Sequence, residues 1–258
     1  MTGRPGRATT HDPIHVITYG DSGAGKTTFA ATFPKPILVF AFDPFDKATP
    51  YLKRGEAKPY ETDARGTPVR EVYSKKTGQL LVRVEWYVEG DLTQPEAYSR
   101  FLTRLKTFQD EYDTWKTCVI DSVTFMELTA RKWHQYRLNP KSREPRQWFA
   151  GSTDLVEEML MGRFASLPMN VVVVSHVDED KDEMHGTFVR SPKMPGQRLR
   201  KGVAAGYGEL YHAYVGKYED GARAYLLQTR SDALWNAGSQ VDAPDPCEQQ
   251  YAALWATA

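Results

Sequence analysis

Ile14-His15-Val16-Ile17-Thr18-Tyr19-Gly20-Asp21-Ser22-Gly23-Ala24-Gly25-Lys26-Thr27-Thr28-Phe29-Ala30-Ala31-Thr32-Phe33-Pro34 is the stretch that decides the fold. Its first six residues are a β-branched, apolar run that suits a buried strand. Its centre, Gly20 to Thr27, reads G-x-x-x-x-G-K-T, the phosphate-binding P-loop. Its end is a short helical run stopped by Pro34. Strand, glycine loop and helix, in that order, are the context the motif requires. Gly20, Gly23 and Gly25 permit backbone conformations and close approaches that a Cβ would block. The amides of Asp21, Ser22 and Ala24 then point at phosphate oxygens, at the start of the helix. Lys26 brings a compact cation to the β- and γ-phosphates, the Thr27 hydroxyl is a Mg²⁺ ligand, and Thr28 reaches the α-phosphate. The ligands this motif implies are ATP and Mg²⁺.

Working outward, a second apolar run, Pro36-Ile37-Leu38-Val39-Phe40-Ala41-Phe42, ends at Asp43. A third, Thr117-Cys118-Val119-Ile120, ends at Asp121-Ser122, and a fourth, Asn170-Val171-Val172-Val173-Val174-Ser175, ends at His176. Continuous apolarity of this kind belongs to strands covered on both faces of a parallel sheet. In such sheets the carboxyl ends of strands gather around the ligand. Asp121 is therefore the expected second magnesium-side acid. Asp43 is the candidate to orient or deprotonate water, with a turn-forming role before Pro44 as the plainer alternative. His176 is placed to sense the γ-phosphate.

Segments 69–73 and 79–88 flank a Ser-Lys-Lys-Thr-Gly turn and read as a β-hairpin, an insertion at about 68–90 or a sheet edge. Thr93 to Glu96 has capping-box spacing. The helix after it carries apolar residues at 98, 101, 102, 105, 108 and 112, one face at helical period. Helices are expected over about 124–136 and 152–166, a polar Arg-rich loop over 137–147, and strands over 209–215 and 222–229. Strands alternating with helices give an α/β fold, a mainly parallel sheet with helices on both faces. Residues 1–13 read as an N-terminal arm, 14–235 as the ATPase core and 236–258 as a C-terminal tail.

After His176 comes an acidic run, Asp178-Glu179-Asp180-Lys181-Asp182-Glu183, and then a breaker-rich basic stretch with Phe188, Arg190, Lys193, Arg198, Arg200 and Lys201. A loop at about 178–202 with these residues can track a single-stranded backbone and stack a base. The alternative is a lid whose charges pair with the acidic run. With 258 residues and a formal net charge of +0, no global field draws the chain to nucleic acid, so such binding needs a local patch. Two cysteines form no disulfide framework and fit a reducing cytoplasm. No run is long and apolar enough for a membrane span, and none looks like a signal peptide.

The order GDSGAGKT, VFAFD, CVIDS, VVVVSH and a basic loop resembles the RecA-like ATPases. It is most similar to the short, core-only bacteriophage members, the Sak-type single-strand annealing ATPases, often described as phage AAA-family ATP-binding proteins. The resemblance covers roughly residues 14–235. It implies a DNA-stimulated ATPase in annealing or recombination, acting in the host cytoplasm as a ring or filament. The partners it implies are single-stranded DNA, further copies of the chain and a single-stranded-DNA-binding protein. Lys26 and Thr27 match the family's phosphate and magnesium residues, and Asp121 matches its Walker B acid. Asp43 falls where the family usually has a glutamate and is one methylene shorter. Arg230, after Leu226-Leu227-Gln228-Thr229, falls where the family presents a cation to a neighbour's nucleotide. The arm lacks the family's polymerisation strand. A small-molecule P-loop kinase, in which 190–201 is an Arg-rich lid, and a replication motor or helicase loader are competing readings. A scaffold that only holds ATP is a further one.

Overall fold

The computed structural model describes residues 13–181, 188–218, 220–241 and 243–255. The strands are β1 (His15–Tyr19), β2 (Ile37–Ala41), β3 (Glu56–Ala57), β4 (Glu61–Thr62), β5 (Pro68–Tyr73), β6 (Leu80–Trp86) and β7 (Thr117–Asp121). They continue with β8 (Asn170–Ser175), β9 (Val177–Lys181), β10 (Phe188–Pro192), β11 (Glu209–Lys217), β12 (Arg223–Gln228) and β13 (Cys247–Glu248). The α-helices are α1 (Lys26–Ala30), α2 (Thr49–Leu52), α3 (Ala97–Phe108), α4 (Val123–Trp133), α5 (Pro145–Glu157), α6 (Gln197–Gly206) and α7 (Tyr251–Trp255).

The main sheet runs β13-β12-β11-β1-β8-β7-β2-β6-β5-β3, with β4 on β5. From β11 to β6 every neighbouring pair is parallel, and antiparallel strands finish both edges. β8 separates the P-loop strand β1 from the Asp121 strand β7. The strand period splits the core cleanly. Ile17, Leu38, Phe40, Ile120 and Val173 face one side, under α3, α4 and α5, while Val16, Val39, Val119 and Val174 face the other. Both faces are covered, which is why these runs lack polar alternation.

Several expectations change. Of the two placements expected for the hairpin, insertion or sheet edge, the structure has the second: β6 pairs in parallel with β2, and β5 continues toward the edge of the main sheet. The capping box does not form. Glu89 instead takes the amides of Glu96 (3.0 Å) and Ala97 (2.7 Å), while Thr93 turns to Asp91. The Arg-rich loop is shorter than expected, because Pro145 starts α5 with its φ already helical and no amide to lose. The helical face after it is as expected: Tyr98, Phe101, Leu105 and Phe108 are buried. The arm, 1–12, lies outside the described residues.

Two further differences bear on the site. Residues 177–192 are not an irregular loop where described: β9 and β10 pair antiparallel, with Glu179 opposite Arg190, and α6 follows. The expected tail is part of the core. β13 pairs with β12, and α7 packs Tyr251 and Trp255 against Phe33 at ring-centroid distances of 5.1 and 5.5 Å. The Tyr251 amide donates to Thr32 Oγ1 at 2.9 Å. The C-terminal segment therefore braces the segment that follows the P-loop. Phe33→Ala should cost about 3–5 kcal/mol of stability in urea unfolding, a loss too large for a residue that touched only a loose tail.

Candidate functional site: a phosphate loop facing two strand-end acids

The loop Gly20–Thr27 closes on itself through Lys26. The Lys26 ammonium, 7% exposed, donates to the carbonyls of Gly20 (2.7 Å) and Asp21 (2.8 Å). Burial lowers its pKa, and the charges of Asp121, Asp43 and Asp21 work against that. A positive charge is thus held inside the loop, where phosphate oxygens would replace the carbonyls. Two glycines are sterically required. A Cβ on Gly20 would lie 2.1 Å from Ala213 O. Gly25, at φ 94°, has no room either, since a Cβ there would lie 2.2 Å from Gln249 Oε1.

Asp121 ends β7 within reach of the loop. Its Oδ2 accepts from Thr27 Oγ1 at 2.9 Å and from Tyr51 OH at 2.9 Å. Burial, then the charge of Asp43, pushes its pKa up from 3.8 to about 7, although both hydroxyls favour the anion. Asp43, half-buried at the end of the β2 run, accepts from the Ser122 amide (2.9 Å) and the Ser122 hydroxyl (2.6 Å). The residue after one acid therefore orients the other. His176 lies across the same cleft, half-buried and edge-on to Phe125 at 5.9 Å. Burial, then the Lys26 charge, holds its imidazole below its usual pKa.

These groups line one cleft of about 930 Å³, together with Ser22, Gly23, Gly25 and Thr28. Gly20 and Ala24 lie buried beneath it, and Asp21 faces a neighbouring hollow beside Arg190 and Trp235. A hydroxyl and a carboxylate 2.9 Å apart, beside a phosphate loop, are the hard oxygen donors Mg²⁺ takes alongside nucleotide phosphates. Thr27 and Asp121 would hold the ion, which when bound neutralises phosphate charge.

A model of the AAA-domain family (AAA_24) matches residues 12–239. This chain belongs to the AAA-domain family. It is accordingly a P-loop ATPase, and the mainly parallel α/β sheet is the fold expected. No curated protein matches the chain. Among solved structures it is similar to flagellar accessory protein FlaH from Methanocaldococcus jannaschii, at 8% identity and a TM-score of 0.43, over 92% of this chain and 84% of that one. It is also similar to an ATPase from the type III secretion system of pathogenic bacteria. There the identity is 12% and the TM-score 0.44, over 81% of this chain and 53% of the other.

The remaining expected residues of this AAA-domain chain lie apart from the cleft. Arg230 is exposed beyond Gln228, at the opposite end of β12 from Arg223, and does not line the cleft. Phe188 is exposed on β10. Arg190 pairs with Glu179 at 2.9 Å and lies over the Trp235 ring. Arg200 pairs with Asp178 at 2.6 Å and with Asp180, and Arg198 pairs with Glu157 at 2.6 Å. Lys193 is exposed, and its amide donates to the His176 carbonyl at 2.7 Å. The side chain of Lys201 lies outside the described residues.

Three contributors had no sequence motif. Tyr51 on α2 reaches Asp121 from 70 residues away. Gln249 donates through Nε2 to Ala24 O (2.7 Å) and Leu226 O (2.9 Å), tying the phosphate loop to β12. Tyr225 lines the cleft beside Gly25. Only the glycine pattern hinted at such neighbours, since it demands close packing without naming the partner.

Asp121→Asn tests the cost of the buried acid. An acid whose folded pKa is raised destabilises the fold when it ionises. The wild type should therefore lose stability as pH rises from about 4 to about 7, and the variant should not. Thermal melts without nucleotide should show Asp121→Asn the more stable protein above pH 7 and equal to wild type near pH 3.5, while the variant loses Mg²⁺-dependent turnover.

Proposed function

We propose that this chain is an ATP-hydrolysing, single-stranded-DNA-binding recombination protein of the RecA-like, bacteriophage annealing type. It acts as a homo-oligomer, ring or filament, alongside a single-stranded-DNA-binding protein in the host cytoplasm. ATP and Mg²⁺ occupy the loop, Thr27 and Asp121, and Asp43 orients the attacking water. The observation that carries the reading is a mechanical one. β8 ends at Ser175, His176 follows it on the cleft, and the chain passes directly into β9, which pairs with the arginine-bearing β10. The His176 carbonyl also holds the Lys193 amide. A change in His176 is transmitted within a few residues to Phe188, Arg190 and Lys193.

The ion pairs on these arginines suit such a switch. Arg190–Glu179 is a surface pair, worth about 0–1 kcal/mol, and Arg198–Glu157 is more exposed still. A DNA phosphate competes for those guanidinium groups on near-even terms. Once ATP turns the β9–β10 pair, Arg190, Lys193, Arg198, Arg200 and Lys201 follow the backbone and Phe188 stacks a base. Arg230, exposed and off its own cleft, is the residue that would reach a neighbour's nucleotide in such an oligomer.

The test is single-stranded DNA binding with and without a non-hydrolysable ATP analogue, with ATPase rate and mass by light scattering. Binding should tighten with the analogue, and turnover should rise with DNA and with assembly. The salt slope should shrink by about 0.7 for each arginine removed. Lys26→Ala should abolish all ATP dependence. A monomer that turns over ATP blind to DNA and phosphorylates a soluble acceptor would instead be a kinase.

A further inference from the structure

Phosphates on Gly20–Thr27 fill only one side of the cleft. An adjoining wall comes from the last antiparallel strands, β12 and β13, and from the turn before β12. It presents Tyr225, Arg223 and Tyr218, with Glu248 and Gln250 beside them. Tyr225 is 41% exposed, and its Cδ1 lies 2.9 Å from where a Cβ on Gly25 would be. Its ring therefore sits against the phosphate loop with much of its surface open to the cleft. Arg223 lies over the ring, with the guanidinium carbon 5.1 Å from the centroid. Tyr218, 46% exposed, donates to Glu248 at 3.0 Å and so holds the acid at the rim.

The wall is held at a fixed distance from the loop. The Gln249 side chain, 5% exposed, bonds both Ala24 O in the loop and Leu226 O in β12, next to Tyr225. Gly25 is the position where Gln249 and Tyr225 press closest on the loop. Much of the Tyr225 ring surface, at the mouth of a polar cleft, is left exposed in the free protein. A cleft of about 930 Å³ has room for a whole nucleotide rather than a triphosphate alone.

We propose that Tyr225 is the platform on which the purine base of the bound nucleoside triphosphate stacks, with the Arg223 guanidinium, already over the ring, as a second planar group beside the base. The C-terminal strands are then part of the substrate site. Gln249 is a positioning residue that sets the spacing between base and phosphates. The proposal rests on the ATP-binding reading of the same cleft.

The experiment compares the binding of Mg²⁺-ATP and Mg²⁺-tripolyphosphate to wild type, Tyr225→Ala and Tyr225→Phe. Tripolyphosphate keeps the phosphates and lacks the base. Base–aromatic stacking of the usual strength predicts that Tyr225→Ala weakens ATP by about 5- to 150-fold. Tripolyphosphate affinity should not move, and Tyr225→Phe should bind ATP as wild type does. Unchanged ATP affinity in Tyr225→Ala, or an equal loss for both ligands, overturns the stacking proposal while the phosphate site stands. A wild-type chain that binds neither ligand overturns the ATP reading itself, and the stacking with it.

Discussion

The carboxylate of Asp121, buried between the hydroxyls of Thr27 and Tyr51, is the interaction on which the site depends. It joins the end of β7 to α1 and α2, although β8 lies between β7 and β1, the strand that leads into α1. Thr27 must therefore reach across the end of β8, and the loop must hold its height above the sheet for that to happen. Lys26 supplies that height from inside by bonding Gly20 and Asp21, and Gln249 supplies it from outside by holding Ala24. A buried carboxylate is costly, and two hydroxyl donors offset only part of the cost. The raised pKa of Asp121 is the visible remainder. Mg²⁺ held by Thr27 and Asp121 would relieve that cost, and binding and stability would then draw on the same group.

Asp43 and Ser122 extend this arrangement. The Ser122 amide and hydroxyl both point to one oxygen of Asp43, and the Asp121 carbonyl accepts the Phe42 amide at 2.7 Å. The ends of β2 and β7 are thus laced together, and the two acids face one cleft at a spacing set by backbone. An aspartate at this place reaches less far than a glutamate. Its short side chain suits a position fixed by its neighbour's main chain.

Much of this was legible in the sequence because burial on both faces leaves a plain signature. The runs ending at Tyr19, Phe42, Asp121 and Ser175 contain β1, β2, β7 and β8, and Asp43, Asp121 and His176, at or just past three of those ends, line the cleft. The rest was hidden for physical reasons. β9 reads Val-Asp-Glu-Asp-Lys, which no apolar alternation marks as a strand. Its order comes from charge complementarity across the ladder, Glu179 against Arg190, and from Arg200 reaching back to Asp178 and Asp180. β13 is two residues long, and α7 is held by aromatic contacts with Phe33 rather than by its own period. Tyr51 and Gln249 act through contacts far apart in sequence, and no local pattern encodes those. The cap at α3 fell to Glu89 because a carboxylate bonding two free amides outcompetes a threonine engaged with Asp91.

The central claim is that Thr27 and Asp121 act as one magnesium seat. The most direct measurement is a double-mutant cycle, with Thr27→Val and Asp121→Asn alone and together, read as ATP affinity with and without Mg²⁺. The account predicts that each change removes most of the Mg²⁺-dependent gain, that the double variant loses little more than either single one, and that Mg²⁺-free ATP binding is unchanged. Independent, additive losses, or equal losses without Mg²⁺, would contradict it.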